Sequence, residues 1–180
     1  MRRLKSFTLV ELLVVITIIG IISGLVVVSF NSSRVKARDN KRISDANLIA
    51  SALSQYYTTN LRMYPLGTSG GTTAYSIIQI NSGSASIPFN NSLSNYLNPV
   101  PYDPSDSTTY GYYYVYRNDG KKAAIVVKQL EAGTSKCNIP QAAATATATA
   151  SATATATNQL PDAVSKFILV KGSACYYVAL

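Results

Sequence analysis

Glu11 is the residue whose chemical type fits its surroundings least. It is the one charged side chain in an apolar run that covers residues 7–30. An ionised carboxylate inside an apolar membrane span is costly, by roughly 2.5–3.5 kcal/mol for Asp at the centre of an inserted helix. Glu11 lies near one end of the run, where the cost is smaller. Its position still predicts a cationic partner in surroundings of low dielectric.

The other residue types offer little for catalysis. Histidine is absent and the eight acidic residues are scattered, so most acid–base and zinc schemes lose their usual participants. We therefore predict no catalytic residues, no metal site and no cofactor, and we reject an anchored enzyme. Asp103 and Asp106 are a weak indication of calcium, which takes six to eight oxygen ligands. Turn formation is the favoured interpretation of these two residues.

The chain contains two cysteines, Cys137 and Cys175. In an exported protein an even count suggests one disulfide, whereas in the cytosol it suggests nothing. A bridge between the two would stabilise the fold by about 4 kcal/mol in the loop-entropy model. The compartment therefore has to be inferred from the N-terminus.

The run 7–30 is long enough to place Glu11 in a membrane. As a helix it extends over roughly 36 Å, and a hydrocarbon core is about 30 Å thick. A secretory signal peptide would be shorter and would end in a small-residue cleavage site, which is lacking after Ser29. A plain signal anchor fits the length but leaves Glu11 unexplained. Gly20 and Gly24 are equally compatible with close helix packing and with the ordinary glycine content of membrane spans.

The stretch KSFTLVELLVVI, residues 5–16, resembles the cleavage and methylation signal of type IV prepilins and type II secretion pseudopilins. The resemblance implies that a prepilin peptidase removes the basic leader, residues 1–6, by cutting between Ser6 and Phe7. It further implies that the new Phe7 amine is N-methylated and pairs with Glu11 of a neighbouring subunit. The family usually has glycine before the cut, and here the small residue Ser6 takes that place.

Residues 31–60 change to an amphipathic pattern, with apolar residues at spacings of three and four. We predict one continuous helix over residues 7–60 whose second half packs on a domain, and this half also resembles the major pseudopilin type. The basic residues at its start have several open interpretations: a solvated face, contact with lipid headgroups, pairing with acids of neighbouring subunits, or DNA binding. DNA binding is disfavoured because interleaved aromatic residues are missing. These basic residues are Arg34, Lys36, Arg38, Lys41 and Arg42.

The rest of the chain predicts a small antiparallel sheet within residues 110–180. Aromatic and β-branched runs around Asp119-Gly120 predict a β-hairpin, and residues 167–170 and 174–178 predict a second one. The tyrosines of the first hairpin alternate over both faces of the sheet, and we expect them to belong to the core.

Two segments of this region are expected to be loops. Residues 61–109 resemble the variable loop that follows the spine helix in pilins, with one apolar stretch at 75–80. Residues 142–157 alternate Ala and Thr and predict an exposed excursion, which is either O-glycosylated or an inert repeat. The resemblance to pilins also supports a Cys137–Cys175 bridge that closes a C-terminal loop.

The predicted fold class is therefore α+β, with a long N-terminal spine helix packed on a four-stranded antiparallel sheet. The family resemblance implies a structural subunit of a type IV pilus-like filament or a type II secretion pseudopilus. Its expected partners are copies of itself or other pilins, the prepilin peptidase and a membrane assembly platform. The expected location is the cytoplasmic membrane, single-pass with the C-terminal domain outside, and then a cell-surface or periplasmic filament. The alternative is a minor pilin that binds DNA or surfaces, although nucleic acid is the less favoured partner.

Overall fold

A computed structural model describes residues 7–105, 109–139, 162–171 and 173–180, without the side chains of 25–29 and 169. The predicted leader, Asp106 and the Ala/Thr tract at 142–157 lie outside the described residues. The chain divides into two compact units, residues 1–37 and residues 38–180, and each is described by itself.

The N-terminal helix, α1, runs from Leu9 to Thr59. This confirms the continuous helix predicted from the apolar run and the amphipathic pattern that follows it. The helix ends where Leu61 and Arg62 adopt positive φ angles of 54° and 56°, a left-handed conformation that cannot continue an α-helix. From Arg38 onward α1 belongs to the C-terminal unit.

Four antiparallel strands form one sheet: β1 (Tyr75–Gln79), β2 (Tyr112–Arg117), β3 (Ala123–Val127) and β4 (Tyr176–Ala179). They lie in the order β1-β2-β3-β4. Gly120 lies in the turn between β2 and β3 with φ of 70°, and Arg117 N donates to Lys122 O across the turn at 2.8 Å. The hairpin predicted around Asp119-Gly120 is thereby confirmed.

The second predicted hairpin is wrong in its first strand. Residues 167–170 belong to helix α3 (Asp162–Lys171). Ala163, Val164, Phe167 and Ile168 are all buried, and their spacing of one, four and five residues places them on one helical face. The strand that completes the four-stranded sheet is instead β1, which lies in the segment expected to be a variable loop. That segment also holds a short helix, α2 (Ile87–Leu93).

Both faces of the sheet are covered. On one face Ile49 and Leu53 of α1 belong to the same buried cluster as Tyr112 and Tyr114. On the other face Tyr113 belongs to a second cluster with Val115 of β2 and Val164 and Phe167 of α3. Successive residues of a strand point to opposite faces, so the tyrosine run of β2 supplies both cores. The expectation that these tyrosines are core residues is confirmed for Tyr112, Tyr113 and Tyr114, which are buried.

Candidate functional site

The start of α1 is closed by a reciprocal pair of hydrogen bonds between Thr8 and Glu11. The backbone N–H and the hydroxyl of Thr8 donate to Glu11 Oε2 at 2.9 and 2.8 Å, and the backbone N–H of Glu11 donates to Thr8 Oγ1 at 3.3 Å. This is a capping box, in which an N-cap Thr and a Glu three residues later each satisfy an otherwise unpaired helix donor. The Thr-x-x-Glu spacing before an apolar run is a sequence signal for this box, and it was not used in the prediction for Glu11.

The two residues of the expected cleavage bond differ in how they are placed. Ser6 lies outside the described residues. Phe7 directly precedes the capping box, and its side chain is 77% exposed. Phe7 therefore belongs to neither buried cluster of the described residues, and its backbone leads straight into the helix that Glu11 caps.

The N-terminal half of α1 presents a long apolar surface. Its large described side chains from Leu9 to Ile22 are between 48% and 78% exposed. A Cβ added at Gly20 or Gly24 would meet nothing within 4 Å. The described part of the chain therefore gives these glycines no close packing, and close packing would have to come from another molecule. These apolar side chains are Leu9, Val10, Leu12, Leu13, Val14, Val15, Ile16, Ile18, Ile19, Ile21 and Ile22.

A membrane span was expected at residues 7–30. Among the residues that the structure describes, no helix combines the length and the apolar character that crossing a membrane requires. The side chains of 25–29, which belong to the expected span, are not among those described.

Arg42 is the centre of a buried ionic cluster in the C-terminal unit. Its side chain is fully buried and contacts three carboxylates: Nε donates to Asp103 Oδ2 at 2.6 Å, Nη1 to Asp39 Oδ1 at 2.8 Å, and Nη2 lies 2.6 Å from Glu131 Oε1. The guanidinium also lies over the ring of Tyr110, 4.6 Å from its centroid. One side chain of α1 thus connects the helix to two separate loops of the domain.

Asp39 and Arg38 extend the same cluster. The two carboxylate oxygens of Asp39 accept hydrogen bonds from the backbone N–H groups of Glu131 at 2.9 Å and Ala132 at 2.7 Å. Arg38 Nε donates to Glu131 Oε1 at 2.9 Å. The loop that follows β3 is therefore fixed on α1 by charge-assisted hydrogen bonds, which are stronger than neutral ones.

The hydrogen bonds of the cluster favour the charged forms of Asp103, Glu131 and Arg42. Burial raises the pKa of Asp103, but the hydrogen bonds from Arg42 and Ser105 outweigh it and leave this pKa below the ordinary value. The hydrogen bond from Arg38 is the main reason why the pKa of Glu131 is lowered. Burial acts to lower the pKa of Arg42, yet hydrogen bonds to Asp103 and Glu131 raise it overall. Shifts of this kind are typical of an ion-pair network, in which each partner stabilises the charged form of the other.

The carboxylate of Asp103, a residue with a weak indication of calcium in the sequence, is bonded to donors of its own chain. Oδ2 accepts from Arg42 Nε, and Oδ1 accepts from Arg42 Nη2 at 3.0 Å and from Ser105 at 2.9 Å through its backbone N–H. The expected second ligand, Asp106, lies outside the described residues. Within the described ranges no three or more Asp, Glu, His or Cys side chains are grouped as a metal site.

The basic residues at 34–42 divide into two groups. Arg38, Lys41 and Arg42 each have an acidic partner in their own subunit, with Lys41 Nζ 2.8 Å from Asp45 Oδ2. Arg34 and Lys36 are exposed, and neither forms an ion pair with any described residue. The sequence presented these five residues as one cluster.

Cys137 and Cys175 form a disulfide, as expected. The bridge joins the segment after the 3₁₀ turn Thr134–Lys136 to the residue just before β4. Next to it, Ile139 N donates to Cys175 O at 3.2 Å, and Cys175 N donates to Val127 O at 3.1 Å. The last strand is thereby tied both to the sheet and to the loop that approaches α1.

The first 27 residues match the family model described as the prokaryotic N-terminal methylation motif. The match covers the expected leader, Phe7, the capping box and most of the apolar run. The exposed apolar helix of this chain therefore lies within a sequence motif that is named for N-terminal methylation.

Several relatives are similar to this chain over a larger part. Type II secretion system core protein G of Vibrio cholerae serotype O1 is 32% identical over 132 residues, which are 73% of this chain and 83% of the relative. The protein of that name from Klebsiella pneumoniae is 33% identical over 106 residues, 58% of this chain and 71% of the relative.

Other matches are shorter. The type II secretion system core protein G of Aeromonas hydrophila is 41% identical over 69 residues, 38% of this chain and 48% of the relative, so this alignment covers about half the relative's length. No solved structure matches the chain at a significant level.

Proposed function

We infer that this chain, which belongs to the family of type II secretion system core protein G, is the structural subunit of a pseudopilus. A pseudopilus is a secretion filament related to type IV pili. The observation that carries the proposal is the long exposed apolar surface of α1, which coincides with the methylation motif. The C-terminal unit, by contrast, covers both faces of its sheet with its own residues. The apolar helix is therefore the part of the molecule that needs other molecules.

The first environment of this helix is the cytoplasmic membrane. Residues 7–30 span it once, with the C-terminal domain outside. The run has the length of a hydrocarbon core, and full burial of each Val, Leu or Ile side chain is worth about 1.5–3 kcal/mol. A surface of this size is unstable in water, so the subunit resides in a membrane or in a filament.

Processing prepares the subunit for assembly. A prepilin peptidase cuts between Ser6 and Phe7, and the Phe7 amine is N-methylated. The cut creates a cation at Phe7, at the start of the apolar helix and four residues before Glu11, the last residue of the capping box. A membrane assembly platform then moves the helix into a filament, where contacts between helices replace the lipid.

Glu11 selects the position of the next subunit. Its carboxylate accepts two hydrogen bonds from Thr8 within the free subunit, which holds it at the helix start. In the filament it pairs with the Phe7 amine of a neighbouring copy, because an opposite charge in low dielectric offsets the cost of a buried carboxylate. This pairing role of Glu11 requires no catalytic group and no cofactor. In the C-terminal unit the positive charge beside Asp103 comes from Arg42, so our proposal includes no metal ion there.

The experiment is mass spectrometry of the chain recovered from isolated filaments. We expect the mature chain to start at N-methylated Phe7. A Ser6→Leu variant should keep its leader and stay out of filaments, whereas the matched Ser6→Gly variant should be processed and assembled. Filaments built of chains that retain Met1 would overturn the proposal.

A further inference from the structure

Arg34 and Lys36 differ from the basic residues that follow them on α1. Arg38, Lys41 and Arg42 neutralise carboxylates of their own subunit. Arg34 and Lys36 are exposed and pair with none of the described acids, so their charges are available to another molecule. Both belong to the N-terminal unit, together with the apolar run 7–30.

The position of these two residues along the helix corresponds to the headgroup region of a lipid bilayer. They follow the end of the apolar run by four and six residues, which is about 6 and 9 Å at about 1.5 Å per residue. The polar headgroup region of a bilayer extends on the order of 5–8 Å beyond the hydrocarbon core on each side. With their long side chains, both cations lie at headgroup level when the apolar run spans the core.

The angle between the two residues limits the kind of partner. Residues two apart on an α-helix are about 200° apart around its axis, so Arg34 and Lys36 project from opposite sides. A carboxylate patch on one neighbouring subunit or a single strand of nucleic acid would reach one side only. A layer of lipid headgroups surrounds a membrane helix on every side.

Other copies of this chain offer little acid to bind. Every described acidic side chain of the unit 38–180 already lies within 2.8 Å of a Lys or Arg nitrogen of its own chain. These acids are Asp39, Asp45, Asp103, Asp119, Glu131 and Asp162. Apart from Glu11, which the proposed function pairs with the Phe7 amine, the described acidic side chains of a homopolymer are therefore already paired, and this favours an external anion for Arg34 and Lys36.

We propose that Arg34 and Lys36 form a basic collar that binds anionic phospholipid headgroups around α1 while the subunit waits in the membrane. The inference rests on the proposed membrane span of residues 7–30. Each cation holds its own lipid, because the two side chains lie on opposite sides of the helix. The collar fixes how far the helix protrudes from the membrane before assembly.

The test uses the processed chain, which begins at Phe7, because Arg2, Arg3 and Lys5 of the leader would also attract anionic lipid. The chain is reconstituted into phosphatidylcholine vesicles that contain a trace of spin-labelled lipid. Electron spin resonance measures the fraction of that lipid whose motion is restricted by the protein. A basic residue at an anionic lipid contributes about 1 kcal/mol, so phosphatidylglycerol should associate about fivefold more strongly than phosphatidylcholine. High salt, near 1 M, should suppress the preference because the Debye length falls to about 3 Å.

The variants separate the collar from general positive charge. Arg34→Gln and Lys36→Gln should each remove about half of the excess phosphatidylglycerol, and the double variant should remove it all. The matched control Lys121→Gln/Lys166→Gln, which removes the same charge from exposed side chains of the domain, should leave the preference intact. The charge-conserving swap Arg34→Lys/Lys36→Arg should keep it.

Failure of the collar and failure of the membrane span give different spectra. The collar is overturned if restricted lipid is present but its preference for phosphatidylglycerol is unchanged in Arg34→Gln/Lys36→Gln. Loss of that preference in the control variant overturns the collar as well. Absence of motionally restricted lipid of either kind overturns the proposed span itself.

Discussion

Arg42 of α1 and Asp103 are 61 residues apart in the chain, and Arg42 Nε donates to Asp103 Oδ2 over 2.6 Å in a buried site. The same guanidinium contacts Glu131 on a second loop. A force applied along α1 during assembly would therefore be transmitted to the domain through ionic contacts as well as through the apolar core. Arg42 thus connects both loops to the helix through a single guanidinium, beside the contacts of Arg38 and of the apolar core.

Removal of that charge is expected to destabilise the domain strongly. In Arg42→Met the carboxylates of Asp39 and Asp103 stay buried without a cation, which costs about 3–5 kcal/mol when one partner of a buried pair is lost. We expect a large fall in the urea midpoint of the full chain in detergent micelles, followed by the near-ultraviolet circular dichroism of the buried tyrosines.

The control for Arg42→Met is Lys122→Met. Lys122 Nζ lies 2.8 Å from Asp162 Oδ2, but these side chains are 51% and 64% exposed, so this pair is screened by water. Its removal should change the midpoint little. Equal midpoints for Arg42→Met and Lys122→Met would contradict the central role of Arg42.

The cluster also predicts an acid limit of stability. The pKa values of Asp103 and Glu131 are lowered in the folded chain, so their contribution is complete above the ordinary carboxylate pKa of about 4 and is lost as the pH falls through the lowered values. The chain has no histidine, so little should change between about pH 5 and 7. Urea titrations at a series of pH values should show a plateau above pH 5 and a steep decline below about pH 4. A stability that stays flat down to pH 2 would contradict the shifts.

The disulfide should contribute by a different mechanism. Cys137 and Cys175 are separated by 38 positions, and closing a loop of that length in the unfolded chain is worth about 4 kcal/mol in the loop-entropy model. We expect the free energy of unfolding of the Cys137→Ser/Cys175→Ser variant, measured by urea titration, to be lower by about this amount. Dithiothreitol should destabilise the wild-type chain and leave the double variant unaffected, and an effect on the variant would point to another cause.

The parts of the fold that the sequence predicted depend on local signals. The helix from Leu9 to Thr59 follows from an apolar run that passes into a helical period, and the β2–β3 hairpin follows from Asp119-Gly120 between two β-rich runs. Each signal lies within a few residues of the structure it specifies. The partners of the disulfide could be predicted without knowing where they lie in the fold, because the chain contains only two cysteines.

The parts that were missed depend on distant or ambiguous contacts. Residues 167–170 form a short apolar run that suits a strand or a buried helix equally well, and only the burial of Val164 with Phe167 distinguishes them. Strand β1 pairs with β2, where Ile77 lies opposite Val115 far along the chain. The contact between Arg42 and Asp103 is equally non-local, so no spacing rule predicts it.

Glu11 has a local role in the capping box and a proposed intermolecular role in assembly, and the two can be separated by substitution. Gln at the third helical position still completes a capping box, so Glu11→Gln keeps the helix start formed with Thr8 and loses only the charge. We expect this variant to insert, to be cleaved and methylated at Phe7, and to be scarce in filaments sheared from cells, as judged by immunoblot of filament and membrane fractions.

Thr8→Ala is the converse variant, because it removes the hydroxyl that donates to Glu11 Oε2 and keeps the carboxylate. Loss of an N-cap costs about 1 kcal/mol, which frays the first turn but leaves the charge available to the neighbouring Phe7 amine. If the pairing governs assembly, Thr8→Ala should form filaments at near wild-type levels and Glu11→Gln should not. If the capping box governs it, the order is reversed, because Glu11→Gln retains the cap that Thr8→Ala lacks. The ratio of filament yields from these two variants therefore decides which of the two roles of Glu11 assembly requires.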